Sequence, residues 1–331
     1  MPKRNIALVA GGNSGEYVIS MESAKMIRRN IDPELFNVYT ILIHFDKWVY
    51  VDDQQQESPV DKNDFSIRVE GRKVRFDCAF ITIHGTPGED GKLQGYFELL
   101  NIPFTTAGLL PTAITFNKYF CNQLVAHWGL PVARSVKVHR QQDVSVGFLL
   151  QHVNLPVFVK PNKGGSSLGT TFVKEVDDLM PSVALGFEHD DEILVEEYLE
   201  GVELTCGVLR MDGHVKALPV TEIISKTEAK FFDFKAKYTK GAADEITPAR
   251  IAPELTRQVQ QTTQWLYEKL ELKGMARIDY IYCRDQLYFL EVNITPGMAE
   301  TSIVPQQAAV EGISVTRLFT YVINDALASG R

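Results

Sequence analysis

The chain has 331 residues, 45% hydrophobic and 23% charged, with a formal net charge of −8. That length exceeds a usual single core, so two or three domains are expected, and the composition is that of a soluble globular protein. The acidic balance argues against nucleic acid as the main partner, and no run is apolar and long enough to span a membrane. The four cysteines, Cys78, Cys121, Cys206 and Cys283, are scattered with no CxxC spacing; neither a zinc site nor a disulfide framework is suggested, and a reducing cytoplasm fits.

In chain order, Asn5–Ala10 is predicted as a first buried strand rather than a secretory leader, because its apolar run is short and ends in Gly11-Gly12. The loop GGNSGE, a helix over Ser20–Asn30 and a strand at Val38–Ile43 follow, the opening of a doubly wound sheet. The loop lacks G-x-G-x-x-G, which disfavours a nicotinamide oxidoreductase. Its Glu16 either caps the helix or binds an ammonium group. After a polar, hairpin-bearing segment, Trp48–Val69, the strand Phe76–Ile83 runs into HGTPGEDG and a helix over Leu93–Leu100. That loop lies at the carboxyl edge of the sheet, where open α/β folds bind ligands. His84 is there as a substrate contact or a capped, partly buried histidine.

Ile102-Pro103 closes the first domain. A helix over Pro111–Trp128 carries Lys118, and the strand Val132–Val138 and a helix over Val144–His152 lead to the strand Pro156–Lys160. The loop KPNKGGSSLG and the strand Thr170–Lys174 follow. Strand–Gly-rich loop–strand is not the Walker arrangement. The loop is either a plain flexible hairpin or a lid whose amides and hydroxyls meet phosphate. A helix over Val176–Glu188 precedes the strands Glu192–Leu199 and Val202–Leu209, where Glu196, Glu197 and Glu203 are either solvated strand residues or a hinge that holds a nucleoside. Beyond the strand Val215–Ile224, the segment Ser225–Thr247 is long, charged and interleaved with aromatics, as a docking lid would be.

Pro253–Leu270 is an amphipathic helix, and the stretch from Gly274 to Asn293 reads as a hairpin closed by the polar connection Cys283–Gln286. Arg277 and Asp279 share a parity with Met275 and Ile281; Glu291 and Asn293 share one with Leu287 and Phe289. Antiparallel pairing makes a patch that is either a cross-strand salt bridge or a Mg²⁺ site with hard oxygen ligands. The turn Thr295-Pro296-Gly297 offers amides to an anion, and helices over Ser302–Val310 and Val315–Ala328 end the chain. Lysines on a Gly/Ser loop and on a lid, with a carboxylate–Asn patch, together suit an ATP-dependent transferase or ligase.

GGNSGE, HGTPGEDGKLQG, KPNKGGSSLG, VEEYLEGVELT, FFDFKAKY, ARIDY and EVNITPGMAETSIVPQ occur in that order across nearly the whole chain. In them the chain resembles the D-alanine–D-alanine ligases of the ATP-grasp superfamily. The resemblance implies an α/β (α+β) protein of three domains: a Rossmann-like unit (1–103), a central ATP-grasp lobe (104–199) and a C-terminal lobe with the metal and substrate site (200–331). It implies ATP, two Mg²⁺ or Mn²⁺ ions, a homodimer and cytoplasmic synthesis of D-alanyl-D-alanine through an acyl phosphate.

By the same resemblance, Glu16 holds the ammonium of the first D-alanine in a network with Ser166 and Tyr238, and His84 lies beside that substrate. Lys118 and Lys160 bind ATP phosphates, Lys237 the γ-phosphate; Ser166 and Ser167 belong to the phosphate loop. Glu196, Glu197, Tyr198 and Leu199 line the adenine, and Glu203 holds the ribose. Asp279, Glu291 and Asn293 hold the metals, Arg277 and the Gly297 amide the oxyanion, and Ser302 and Ile303 the second D-alanine. Ile294, Thr295, Ala299, Thr301 and Glu197 depart from the common pattern, and Glu197 puts the charge of that adenine contact in question. The alternatives are a ligase with D-lactate or another acceptor, against which Tyr238 speaks, and a non-catalytic nucleotide-binding protein.

Overall fold

The computed structural model describes residues 2–165, 168–225, 243–299 and 301–329, and the account below is of these. Ser166, Ser167, Lys237, Tyr238 and most of the expected lid lie outside them. The strand order begins with β1 (Arg4–Gly11), flanked in parallel by β2 (Phe36–His44) and β7 (Cys78–Ile81); β3 (Lys47–Val51) and β4 (Glu57–Pro59) extend the edge antiparallel. A central parallel strand must be apolar on both faces. Ile6, Leu8 and Ala10 pack under helix α1 (Tyr17–Asn30), while Ala7 and Val9 face helix α2 (Lys92–Leu99).

The second sheet is antiparallel, in the order β10 (Thr171–Val173), β9 (Val157–Pro161), β11 (Glu192–Glu197), β8 (Ser135–His139). Val157, Val159, Ile193 and Val195 form its core face with helix α5 (Val146–His152) and helix α6 (Leu179–Gly186). The opposite parity, Phe158, Lys160, Leu194 and Glu196, is left for a cleft. The third sheet runs β15 (Ala243–Ile246), β14 (Thr221–Ser225), β12 (Val202–Met211), β16 (Met275–Cys283), β17 (Gln286–Asn293), with β13 (His214–Ala217) beside β12. Helix α7 (Pro253–Lys269) covers its far face through Val259, Leu266 and Tyr267.

Three expectations are corrected. The helix expected over Pro111–Trp128 is two helices, α3 (Leu109–Phe116) and α4 (Lys118–His127), broken at Asn117. Asn117 is extended, with φ −92° and ψ 99°, and its side chain caps the second helix by accepting from the Phe120 amide. The break sets Lys118 at a helix start, where its amide bonds the Asn162 carbonyl of the loop after β9. The strand expected over Val215–Ile224 is interrupted between β13 and β14. The lid's last residues are strand β15.

Cores cross the sheet boundaries. Cys121 and Val125 of α4 share a core with the third sheet. The final helix, Val315–Ser329, packs on the first sheet, with Phe319 fully buried edge-on against Phe80 at 5.7 Å. Phe319→Ala is expected to cost about 3–5 kcal/mol. Chemical denaturation followed by fluorescence measures it, and a wild-type midpoint would show that the contact is not part of the core.

Candidate active site

The second and third sheets face each other across a cleft bordered by β9, β11, β16 and β17. On the second sheet, the Lys160 ammonium lies 2.6 Å from Glu196 Oε1, both groups largely buried. The two are diagonal neighbours on the cleft face, since Lys160 is opposite Leu194 and Glu196 opposite Phe158. Asn122 of α4 donates to the other Glu196 oxygen at 3.4 Å. Glu197, Tyr198 and Leu199 continue the wall. The Glu197 carboxylate turns to Asn154, accepting from its amide at 2.8 Å and its side chain at 2.9 Å, with Arg134 at 3.7 Å. Its charge is therefore spent outside the cleft. Glu203 lines the same cleft from β12.

On the third sheet one irregularity arranges the polar residues. β16 and β17 pair Arg277 with Asn293, Ile278 with Val292 and Asp279 with Glu291, and then Tyr280 with Phe289. Leu290 is the extra residue of a β-bulge. The sequence parity linking Leu287 and Phe289 to Glu291 and Asn293 is thus reversed at Leu290. Leu287, Phe289 and Val292 enter the core with Ile278 and Tyr280, whereas Arg277, Asp279, Glu291 and Asn293 share the cleft face. Arg277 donates twice to Asp279, at 2.9 and 2.8 Å; Asn293 donates to it at 3.1 Å, and the Thr205 hydroxyl donates as well. Burial opposes the guanidinium charge, but the carboxylates of Asp279, Glu291 and Glu245 outweigh it and raise the Arg277 pKa further above its ordinary value. Lys118 reaches from α4 to the Gly164 carbonyl and lies 3.8 Å from Glu291.

Loops of the first sheet line an adjoining cavity that shares Pro161, Gly164, Gly165 and Leu168 with this cleft. Glu16 is buried and makes no cap hydrogen bond to α1. Its carboxylate instead faces the phosphate loop, 3.0 Å from where a Cβ on Gly165 would stand. A Cβ at position 165 would press on the carboxylate, which would have to give way by a few tenths of an ångström. His84 is buried with no partner for Nε2. Burial, reinforced by Arg277, pushes its imidazole down to about 4, so it is neutral at pH 7. Gly297 and Ser302 approach closely: a Cβ on Gly297 would sit 3.1 Å from Ser302 Oγ. Ser302 precedes helix α8 (Ile303–Val310) in extended conformation, so the positive end of that helix opens on the Gly297 turn.

The fold thus gathers Lys118, Lys160, Glu196, Glu203, Asp279 and Glu291 around one cleft. His84 and Glu245 each interact with Arg277 from outside that list. Among the described residues, no group of three or more His, Cys, Asp or Glu side chains is placed to hold a metal. Two carboxylates and a carboxamide are a set that leaves room for phosphate oxygens and water, the environment Mg²⁺ prefers.

Sequence reading missed Glu89, Thr205, Glu245 and Gln307. Glu89 lay inside a motif already singled out, and the acid in a Gly-rich loop was the available signal. It accepts from the Gly85 amide at 2.7 Å. Burial, with the charge of Glu16 adding to it, pushes its carboxyl up to about 8.

Residues 5–107 match the family described as D-ala D-ala ligase N-terminus, and residues 124–324 match D-ala D-ala ligase C-terminus. A D-alanine–D-alanine ligase of Parabacteroides distasonis is 44% identical over 326 residues, 98% of each chain. Another, from Porphyromonas gingivalis, is 44% identical over 99% of each. Among solved structures, the VanG D-Ala:D-Ser ligase of Enterococcus faecalis has a TM-score of 0.87 at 31% identity, covering 98% of this chain and 100% of that one.

The raised Glu89 pKa has a signed consequence. Between about 4.5 and 8 the folded protein holds a proton that the unfolded chain releases, so this group's contribution to stability is full below the unfolded value and is lost as pH rises through the folded one. Glu89→Gln keeps an acceptor for Gly85 and removes the titration. Its melting temperature relative to the parent protein is expected to rise steadily from pH 5 to pH 8, and a pH-independent difference would refute the protonated Glu89.

Proposed function

The chain belongs to the D-alanine–D-alanine ligase family, and from that membership we propose how its residues divide the work of joining two D-alanines. The enzyme couples ATP hydrolysis to ADP and phosphate with formation of D-alanyl-D-alanine for peptidoglycan precursors, by way of a D-alanyl phosphate. The observation that carries the assignment of roles is the cleft face of β16–β17, where Arg277, Asp279, Glu291 and Asn293 stand together opposite Lys118 and Lys160.

A carboxylate is a poor acyl donor, and phosphorylation supplies the leaving group. Lys118 and Lys160, with Lys237, take the ATP phosphates; Glu196 to Leu199 line the adenine, and Glu203 holds the ribose. Asp279, Glu291 and Asn293 would hold Mg²⁺ or Mn²⁺, two ions in all, which when bound would supply positive charge against the phosphates. Glu16, with Ser166 and Tyr238, takes the ammonium of the first D-alanine. Neutral His84 presents its unpartnered Nε2 beside it.

Arg277 and the Gly297 amide stabilise the oxyanion as the second amine attacks, and Ser302 with Ile303 anchors that substrate's carboxylate at the positive end of α8. Closure of the lid and phosphate loop keeps water from the acyl phosphate. The domains are read as 1–103, 104–199 and 200–331, although helix α4 shares its core with the third sheet. The assembly is a cytoplasmic homodimer, which light scattering tests.

With ATP and Mg²⁺, phosphate release is expected with D-alanine and not with L-alanine, and adding D-lactate is expected to give no depsipeptide. An enzyme with no D-alanine-dependent turnover would overturn the reading. Glu291→Gln is expected to abolish turnover with an unchanged circular-dichroism spectrum; a near-normal rate would show that the metal assignment is wrong.

A further inference from the structure

Along β12 the ladder has a gap. β14 pairs with it as far as Thr205, and β13 begins at Val208. Backbone groups in such a gap must find partners in the interior. The Leu218 amide donates to the Gly207 carbonyl at 2.8 Å, and Gln307 of α8, fully buried, supplies the other partners. Its Oε1 accepts from the Gly207 amide at 2.8 Å, and its Nε2 donates to the Thr205 carbonyl at 3.0 Å and to Thr221 Oγ1 at 2.9 Å. The carboxamide thus stands in for one peptide unit of the missing strand. A Cβ on Gly207 would lie 2.6 Å from Gln307 Oε1, so position 207 is shaped to receive it.

The residues it holds are those opposite the oxyanion and metal candidates. Thr205 is in register with Asp279 and hydrogen-bonds its carboxylate, and Gly207 is in register with Arg277. One helical turn before Gln307, Ile303 packs on Ile223 of β14. The start of α8 and the strand beside Arg277 are therefore joined by a short, fully bonded link.

We propose that Gln307 is the positioning residue of the acceptor half of the reaction, fixing the span between the Ser302–Ile303 anchor and the Arg277 guanidinium. The inference rests on the reading that this anchor holds the second D-alanine. Attack on the acyl carbon requires the amine within a narrow distance, and misplacement of about 1 Å costs on the order of a hundredfold. A displaced acceptor leaves the acyl phosphate to water, so the loss falls on coupling rather than on activation of the donor.

Gln307→Met keeps the side-chain length and removes all three bonds; Gly207→Ala pushes the carboxamide out of its notch. Three quantities are measured in each: KM for the second D-alanine, dipeptide formed per phosphate released, and D-alanyl hydroxamate formed when hydroxylamine attacks the acyl carbon and phosphate leaves. The expected result is an acceptor KM raised about tenfold to a hundredfold, a dipeptide-to-phosphate ratio well below that of the parent enzyme, and unchanged hydroxamate formation and KM for ATP. Where Gln307→Met does not fold, Thr221→Val removes one partner of the carboxamide and carries the test with the same signs.

An unchanged acceptor KM with full coupling in a folded variant overturns the proposal, as does an equal loss of hydroxamate and dipeptide. A parent enzyme that forms no hydroxamate from D-alanine fails the functional reading itself, which is a different result from normal hydroxamate and unaltered acceptor kinetics in the variants.

Discussion

One strand pair has to serve two masters. β16 and β17 contribute Ile278, Tyr280, Leu287, Phe289 and Val292 to the apolar core that the third sheet shares with α4 and α7, and Arg277, Asp279, Glu291 and Asn293 to the cleft on its other side. A regular hairpin cannot do this with the sequence present, because strict alternation would drive either Phe289 into the cleft or Glu291 into the core. The bulge at Leu290 resolves the conflict at the cost of one unpaired residue. The placing of Glu291 and Asn293 beside Asp279 depends on that extra residue.

Around it the electrostatics are arranged in opposition. Lys160 faces Glu196, Lys118 lies near Glu291, and Arg277 is clasped by Asp279. Each charge taken from water has an opposite charge or hydrogen-bond partner beside it, as interior charges require. The donors stand in place before any substrate charge develops, which is the condition for electrostatic catalysis without reorganisation. His84 and Glu89 are the complement: two ionisable groups that burial leaves uncharged near neutral pH, beside Arg277 and Glu16 respectively.

Much of this was legible in the sequence. The Gly-rich loop after β9 was placed at the cleft, those after β1 and β7 at the cavity adjoining it, and alternation located the hairpin. What was not legible was set by tertiary contact. The break at Asn117 lies in a sequence with good helical periodicity, and only the pairing of Lys118 and Asn117 with residues 162 and 163 creates it. The bulge at Leu290 has no local signature, since leucine suits a regular strand. Gln307 lies four residues after an anchor in an ordinary helical pattern, and its role depends on a ladder gap a hundred residues away. Glu197 stood out as a misplaced charge until Asn154 and Arg134 were seen to absorb it.

The packing of the last helix on the first sheet makes the fold a closed circuit. Ile6, Leu8 and Phe80 meet Leu318, Phe319 and Val322 on the face that α1 also covers through Ala24 and Ile27, so that layer of the first sheet is shared between a helix near in sequence and one far from it. The strands of the first sheet have α1 and α2 on their two faces from nearby sequence, and the Val315–Ser329 helix completes the layer beside α1. The core of the first sheet is therefore closed by a contact between parts of the chain far apart in sequence, and closing so long a loop is what its last layer costs in conformational entropy.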